Sequence, residues 1–115
     1  MASTGLTQAG IAETQARFRE ANERIEAAAH NIQLLGPVPF ICECANADCT
    51  EIVRLELDEY KAARENPRRF FVVSGHAGPA VAAGAAVIVN ETIGYTLVDK
   101  IGVAGEIAEA RYDDH

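Results

Sequence analysis

The stretch FICECANADCTEIVRL, residues 40–55, carries all three cysteines of the chain, Cys42, Cys44 and Cys49, in the pattern C-x-C-x4-C. In an extended segment, side chains two residues apart point the same way, so Cys42 and Cys44 present both sulfurs to one point. The loop between Cys44 and Cys49 leaves enough chain to curl back, and Asn46 and Asp48 suit the tight turn this requires. An odd number of thiols at such spacing points to a metal site and away from a disulfide framework. The competing reading, three small buried hydrophobes, does not account for their crowding.

Three thiolates leave tetrahedral zinc one ligand short. His76, in SGHAGP at residues 74–79, is the expected fourth, because Gly75 and Gly78 let the backbone turn sharply around it. The apolar strand Phe70–Val73 is expected to pair near the strand that follows Cys49 and so carry His76 to the thiols. His30 and His115 are lesser alternatives, both read as solvent-exposed, and Asp48 is better explained as a turn residue. Zinc is the expected metal, in a closed structural Cys3His site with no open position for water. An iron–sulfur cluster is the minor alternative. One small iron–sulfur family also uses three cysteines and a histidine, but holds the last two together in C-D-G-x-H; here 26 residues separate Cys49 from His76.

With 115 residues the chain is read as one domain with a modest core, to which a metal clip or an oligomer interface adds useful stability. A net charge of −7 argues against non-specific attachment to nucleic acid or anionic membrane, since both need basic surface. No run approaches eighteen consecutive apolar residues, and MASTGLTQAG lacks a basic region followed by an apolar one. The expectation is a cytoplasmic protein with no membrane partner.

Along the chain, residues 1–10 read as a flexible N-terminus. Residues 11–35 lack proline and glycine and read as one long helix, with Ile11, Phe18, Ile25 and Ile32 recurring every seven residues. Thr14, Ala21, Ala28 and Leu35 fill the interleaved positions. A period of seven with a narrow apolar seam suits a helical hairpin or a coiled coil, and with it self-association or partner docking through residues 11–35. The same stripe can equally lie across the sheet of its own domain. Residues 36–101 read as a zinc-bearing α+β domain. GPVP ends the helix, Val38–Cys44 is extended, and Thr50–Leu57 alternates as a half-buried strand. Asp58 is expected to cap a short helix that Pro67 stops. A helical turn at Pro79–Ala83 and a hairpin of Ala85–Val89 with YTLVDKI follow. Residues 102–115 read as an acidic tail with a short fraying helix.

The combination F-x-C-E-C-x4-C, E-Y, R-x-x-P-x-x-F, G-H and Y-x-L-V-x-K resembles small bacterial zinc-site proteins, largely actinobacterial, that share an F-x-C-E-C … P-G-H pattern. The resemblance covers residues 11–101. It implies Cys42, Cys44, Cys49 and His76 as the recurring ligand set and implies no activity. Ser74 departs from it, standing where the family usually has proline, which loosens the turn around His76.

Lys61, Arg64, Arg68 and Arg69 concentrate positive charge and read as a phosphate or partner spot, or as a solvated helix face neutralised by Glu59 and Glu65; the second is favoured. Ser74 beside His76 lacks an orienting third residue, so no catalytic constellation can be assembled and no small-molecule substrate is implied. The fold class expected is α+β, a long N-terminal helix followed by a small antiparallel sheet clipped by a Cys3His metal site. The function expected is a non-enzymatic interaction or regulatory protein with structural zinc. The alternative is a redox- or metal-responsive regulator with Cys42, Cys44 and Cys49 as sensor thiolates.

Overall fold

In the computed structural model, which describes residues 7–31 and 36–113, the N-terminal helix α1 runs over Gln8–Asn31. Its buried stripe is Ala12, Gln15, Arg19, Asn22 and Ala29, with Ile11, Thr14 and Ala16 joining towards the N-terminal end. That stripe keeps the seven-residue period but sits one residue on from the apolar seam, a rotation of about 100°. Phe18 and Ile25 are only half-buried; Ile32 and Leu35 lie outside the described residues. The reason is hydrogen bonding. Asn22 Nδ2 donates to the Ile41 carbonyl at 2.8 Å, and Ile41 N–H donates back to Asn22 Oδ1 at 2.7 Å. The side-chain amide thus acts as a strand neighbour for a backbone that has no other partner on that side, which offsets its burial.

Two antiparallel sheets follow. The first pairs β1 (Val38–Ile41) with β2 (Ile52–Leu55), Phe40 opposite Val53. Val53 and Leu55 face inward while Ile52 and Arg54 face out, as the alternation predicts. The second sheet has the order β3-β5-β4, from β3 (Arg69–Val73), β4 (Ala86–Glu91) and β5 (Tyr95–Lys100). β4 and β5 form the expected hairpin, with a bulge between Ile88 and Asn90. Helix α2 (Leu57–Arg64) starts one residue before Asp58. Glu56 is its N-cap, and the Glu56 N–H donates to the Glu59 carboxylate at 2.8 Å in a capping box. The short helix α3 spans Gly78–Ala82. Residues 102–113, read from sequence as part of an acidic tail, form α4 (Gly102–Asp113), which packs on α1 and buries Ala104 and Ala108. Among the described residues no helix is long and apolar enough to cross a membrane.

The core divides between the two faces of the β3-β5-β4 sheet. On one face Phe71 meets Phe40 and Tyr60, whose own rings stack at 4.4 Å between centroids. On the other, Phe70 carries Arg19 of α1 at 5.3 Å and Lys100 of β5 at 4.8 Å over its ring, with Arg64 of α2 also near it at 5.6 Å. The arginines of the basic stretch are paired within the chain. Arg64 pairs with Glu43, Arg68 with Glu109 at 2.8 Å, and Arg69 with Asp99 through two bonds of 2.8 and 3.0 Å. That arrangement corrects the solvated-face reading for Arg64, which is drawn into the core, while Lys61 is exposed and Arg68 is neutralised at the surface by Glu109.

Lys100 is 1 % exposed, and its Nζ has no hydrogen-bond partner among the described residues. Burial pushes its pKa down to about 7, against partial compensation from Glu43, Cys44 and Asp99. Since the unfolded chain holds this proton up to its normal value near 10.5, the burial cost is fully present below pH 7 and fades as pH rises towards 10.5. The Lys100→Met variant is therefore expected to be more stable than the parent at pH 6 by about 2 kcal/mol. That advantage should shrink by pH 9, and urea unfolding at the two pH values measures both.

Candidate metal centre

Immediately after β1 the chain stays extended through Cys42, Glu43 and Cys44, and the alternation sends the cysteines one way and the glutamate the other. The loop from Ala45 to Asp48 is an Asx turn. Asp48 N–H donates to Asn46 Oδ1 at 2.9 Å, and Cys49 N–H donates to the Asn46 carbonyl at 3.0 Å. It returns Cys49 to the first two thiols, and Cys42 N–H then donates to the Glu51 carbonyl at 3.0 Å.

His76 arrives from the other sheet. β3 forms no ladder with β2, so the pairing expected to carry it does not exist. Instead β3 runs beside residues 42–44: Glu43 N–H donates to the Phe71 carbonyl at 3.0 Å, and Val73 N–H donates to Cys42 Sγ at 3.2 Å. Gly75, at φ +91°, then turns the chain back in the left-handed region, and His76 N–H closes the turn on the Val73 carbonyl at 2.9 Å.

The four residues singled out in the sequence come together. One ligand atom from each of Cys42, Cys44, Cys49 and His76 lies within 4.8 Å of all the others, a group able to hold a metal ion. His76 Nδ1 is 3.6 Å from Cys42 Sγ and 3.7 Å from Cys49 Sγ. Its other ring nitrogen, Nε2, lies 3.2 Å from the Glu51 carboxylate. That outer contact fixes the tautomer that leaves Nδ1 free to ligate, the usual partnership of a metal-bound imidazole. His30 is exposed, Asp48 is exposed in its turn, and His115 lies outside the described residues. Ser74 donates to the Thr92 carbonyl at 3.5 Å and takes no part.

The thiols are electrostatically uneven. A hydrogen bond from Cys42 lowers the pKa of Cys44 to about 5, against its burial. Cys42 is pushed up by the same bond and by burial, because two adjacent buried anions repel. Desolvation also raises Cys49. Without a cation the cluster holds one thiolate comfortably; a bound metal ion supplies the positive charge that lets all three ionise.

Sequence reasoning missed the residue between the thiols. Glu43 is fully buried. Its carboxylate is salt-bridged to Arg64 and accepts from Asn22 Nδ2 at 2.9 Å and from Phe71 N–H at 3.3 Å. Arg64, 12 % exposed in its side chain, spreads over the rings of Tyr60, Phe70 and Phe71 at 5.1–5.6 Å. One carboxylate thus ties the ligand strand to α1, α2 and β3. The only signal in the sequence is position: an acidic residue between two ligands on a two-residue period must face the core.

Comparison of the chain with protein-family models, curated proteins and solved structures returned no match.

Removing Glu43 strands the Arg64 guanidinium in the core. Glu43→Ala is expected to cost about 3–5 kcal/mol, the range for breaking a buried pair. Arg54→Ala, an exposed change on β2, should cost less than about 0.5 kcal/mol. Urea midpoints of the two variants provide the comparison.

Proposed function

We propose that the chain is a zinc-binding, non-enzymatic interaction or regulatory protein whose Cys3His centre is structural. The observation that carries this reading is the closure of the cluster: four protein ligands converge from three chain segments, filling every position of a four-coordinate ion. The donor set fits zinc. With Zn–S near 2.3 Å and Zn–N near 2.0 Å, a tetrahedron has S···N edges of about 3.6 Å. The two measured edges are 3.6 and 3.7 Å. Four donors drawn around one point suit a single ion better than an iron–sulfur cluster, which spreads its ligands over several irons.

Cys42, Cys44, Cys49 and His76 would hold the ion, and the ion would supply a cross-link and charge neutralisation. The Val73 N–H bond to Cys42 Sγ and the Glu51 contact to His76 would orient the ligands. The same ligand set is implied by the resemblance to small bacterial zinc-site proteins. The α1 face left outside the core carries Arg17, Arg24 and Ala28, so partner docking through this helix would be largely polar in character.

A second reading, a redox-responsive regulator, is favoured by one observation. Cys49 is only half-buried, while Cys42 and Cys44 are buried, so an oxidant would reach the site through Cys49. Oxidation of two thiolates to a disulfide by a peroxide would then release the metal.

Because the ligands come together only in the folded chain, metal removal should unfold the region around residues 42–51 and 74–78. A chelator titration followed by circular dichroism tests this. Loss of structure in step with metal loss is expected, and an unchanged spectrum after verified removal overturns the structural role. Peroxide treatment separates the two readings: zinc release with a changed assembly state supports the sensor, and inert thiols support the structural centre.

A further inference from the structure

β4 has the sequence of an interior strand and the position of an edge strand. Ala86-Val87-Ile88-Val89 is an unbroken apolar, largely β-branched run, the pattern of a strand covered on both faces. Yet β4 lies at the end of the β3-β5-β4 order. Val87, Ile88 and Val89 remain 45 %, 47 % and 44 % exposed, although successive side chains point to opposite faces. Apolar side chains are therefore partly exposed on both faces of the sheet from Val87 to Val89. Ile93 at the hairpin tip and Val81 on α3 extend the apolar surface at its two ends.

The backbone of the edge is also open. Lys100 N–H donates to the Arg68 carbonyl, on the β3 side, while Ile101 N–H donates to the Ala85 carbonyl, on the β4 side. By alternation Asp99 faces β4, its partner Val87 faces β5, and the N–H and C=O groups of Ala86 and Ile88 point away from the sheet. Among the described residues no further strand pairs with β4. The usual guards of an exposed edge, a lysine or a proline within the strand, are missing.

We propose that this edge pairs with a second copy of the chain, β4 antiparallel to β4 about a two-fold axis at Ile88, to form a continuous six-stranded sheet. Three features select a second copy. Val87-Ile88-Val89 reads the same in both directions, so a two-fold centred on Ile88 sets Val87 against the second copy's Val89 and Ile88 against its own counterpart. Such self-complementarity is what an isologous interface requires. Charge points the same way. Residues 77–90 contain no Asp, Glu, Lys or Arg in a chain of net charge −7, so two copies can meet here without apposing carboxylates. The two-fold also puts the two Glu91 carboxylates on opposite sides of its axis and so keeps them apart. Finally, the patch formed by Val81, Val87, Ile88, Val89 and Ile93 is on the order of a few hundred Å², about the limit that monomers expose. Pairing would bury much of it.

The bulge after Ile88 restricts the regular ladder to a short segment. The dimer is accordingly small beside the roughly 800 Å² per partner of standard interfaces, and it should dissociate on dilution. The pairing does not depend on the metal reading, and the two are assayed separately below.

The test is sedimentation of the metal-loaded full chain at about 100 µM, well above a dissociation constant of about 10 µM. The expected mass approaches twice the 12.3 kDa of one chain, falling to one chain in Ile88→Lys. A monomeric parent overturns the proposal, and so does a dimer that persists in a folded Ile88→Lys, which locates the contact elsewhere, for instance on α1. Amide hydrogen exchange on the unmodified protein reads the same edge whether or not that variant folds. The Ala86 and Ile88 amides should exchange rapidly in dilute solution and become protected by about fivefold at 100 µM, where about a fifth of the chain is still monomeric. Rapid exchange at both concentrations overturns the pairing; protection that ignores dilution also overturns it, in favour of a segment of the same chain. Metal content, measured on the same samples, reports on the Cys3His centre alone.

Discussion

The alternation of a single extended tripeptide, Cys42-Glu43-Cys44, organises both halves of the molecule. Its two thiols face the metal-ligand cluster, and its carboxylate faces the core, where Asn22, Arg64 and the Phe71 amide hold it. A buried carboxylate needs such partners, because an unpaired one costs several kcal/mol after relaxation. Those partners come from α1, α2 and β3, so satisfying Glu43 fixes the position of each against the ligand strand. The ligand cluster then depends on the same placement. β3 runs beside residues 42–44, and only because it does so can the Gly75 turn return His76 Nδ1 to the sulfurs.

The core beyond Glu43 is unusually polar for a chain of this size. Arg19 and Lys100 stand over Phe70, Arg64 lies between aromatic rings, and Asn22 substitutes for a strand neighbour of Ile41. A cation over an aromatic face recovers part of the lost hydration, and more of it where water is excluded. The net effect of burying Lys100 remains a cost, as its lowered pKa indicates. Such groups contribute to stability less than aliphatic side chains would, but Asn22 and Arg64 tolerate few alternative packings, since another arrangement would break their hydrogen bonds to Ile41 and Glu43. A metal ion held by the Cys3His cluster would cross-link the two sheets and offset that cost in a domain with a modest hydrophobic core.

Much of this was legible in the residues, for identifiable reasons. Thiols at C-x-C-x4-C and a histidine flanked by Gly75 and Gly78 carry a chemical requirement that few arrangements meet, and the four ligands did converge. The half-buried β2 follows from local alternation, and the hairpin of β4 and β5 from an apolar, β-branched run, a turn and a return strand, none of which needs tertiary information. The failures lie where tertiary pairing decides. Arg19, Asn22 and Glu43 read as surface residues until their partners are known, so the helix face chosen from its apolar seam was one residue off. The route of His76 was also mistaken, because Phe70–Val73 pairs with β5 and leaves β2 to β1. Nothing local distinguishes those two pairings. The Val87-Ile88-Val89 run announced a strand without announcing that it stands at an edge.

The claim on which the rest turns is that Cys42, Cys44, Cys49 and His76 of one chain share one metal ion. X-ray absorption at the zinc edge, on protein purified without chelator, reads that coordination shell directly. The expected result is one zinc per chain in a four-coordinate shell of three sulfurs near 2.3 Å and one nitrogen near 2.0 Å. In His76→Ala the nitrogen should be lost or replaced by solvent oxygen while the sulfurs stay. A shell without three sulfurs, or one unchanged by His76→Ala, would contradict it.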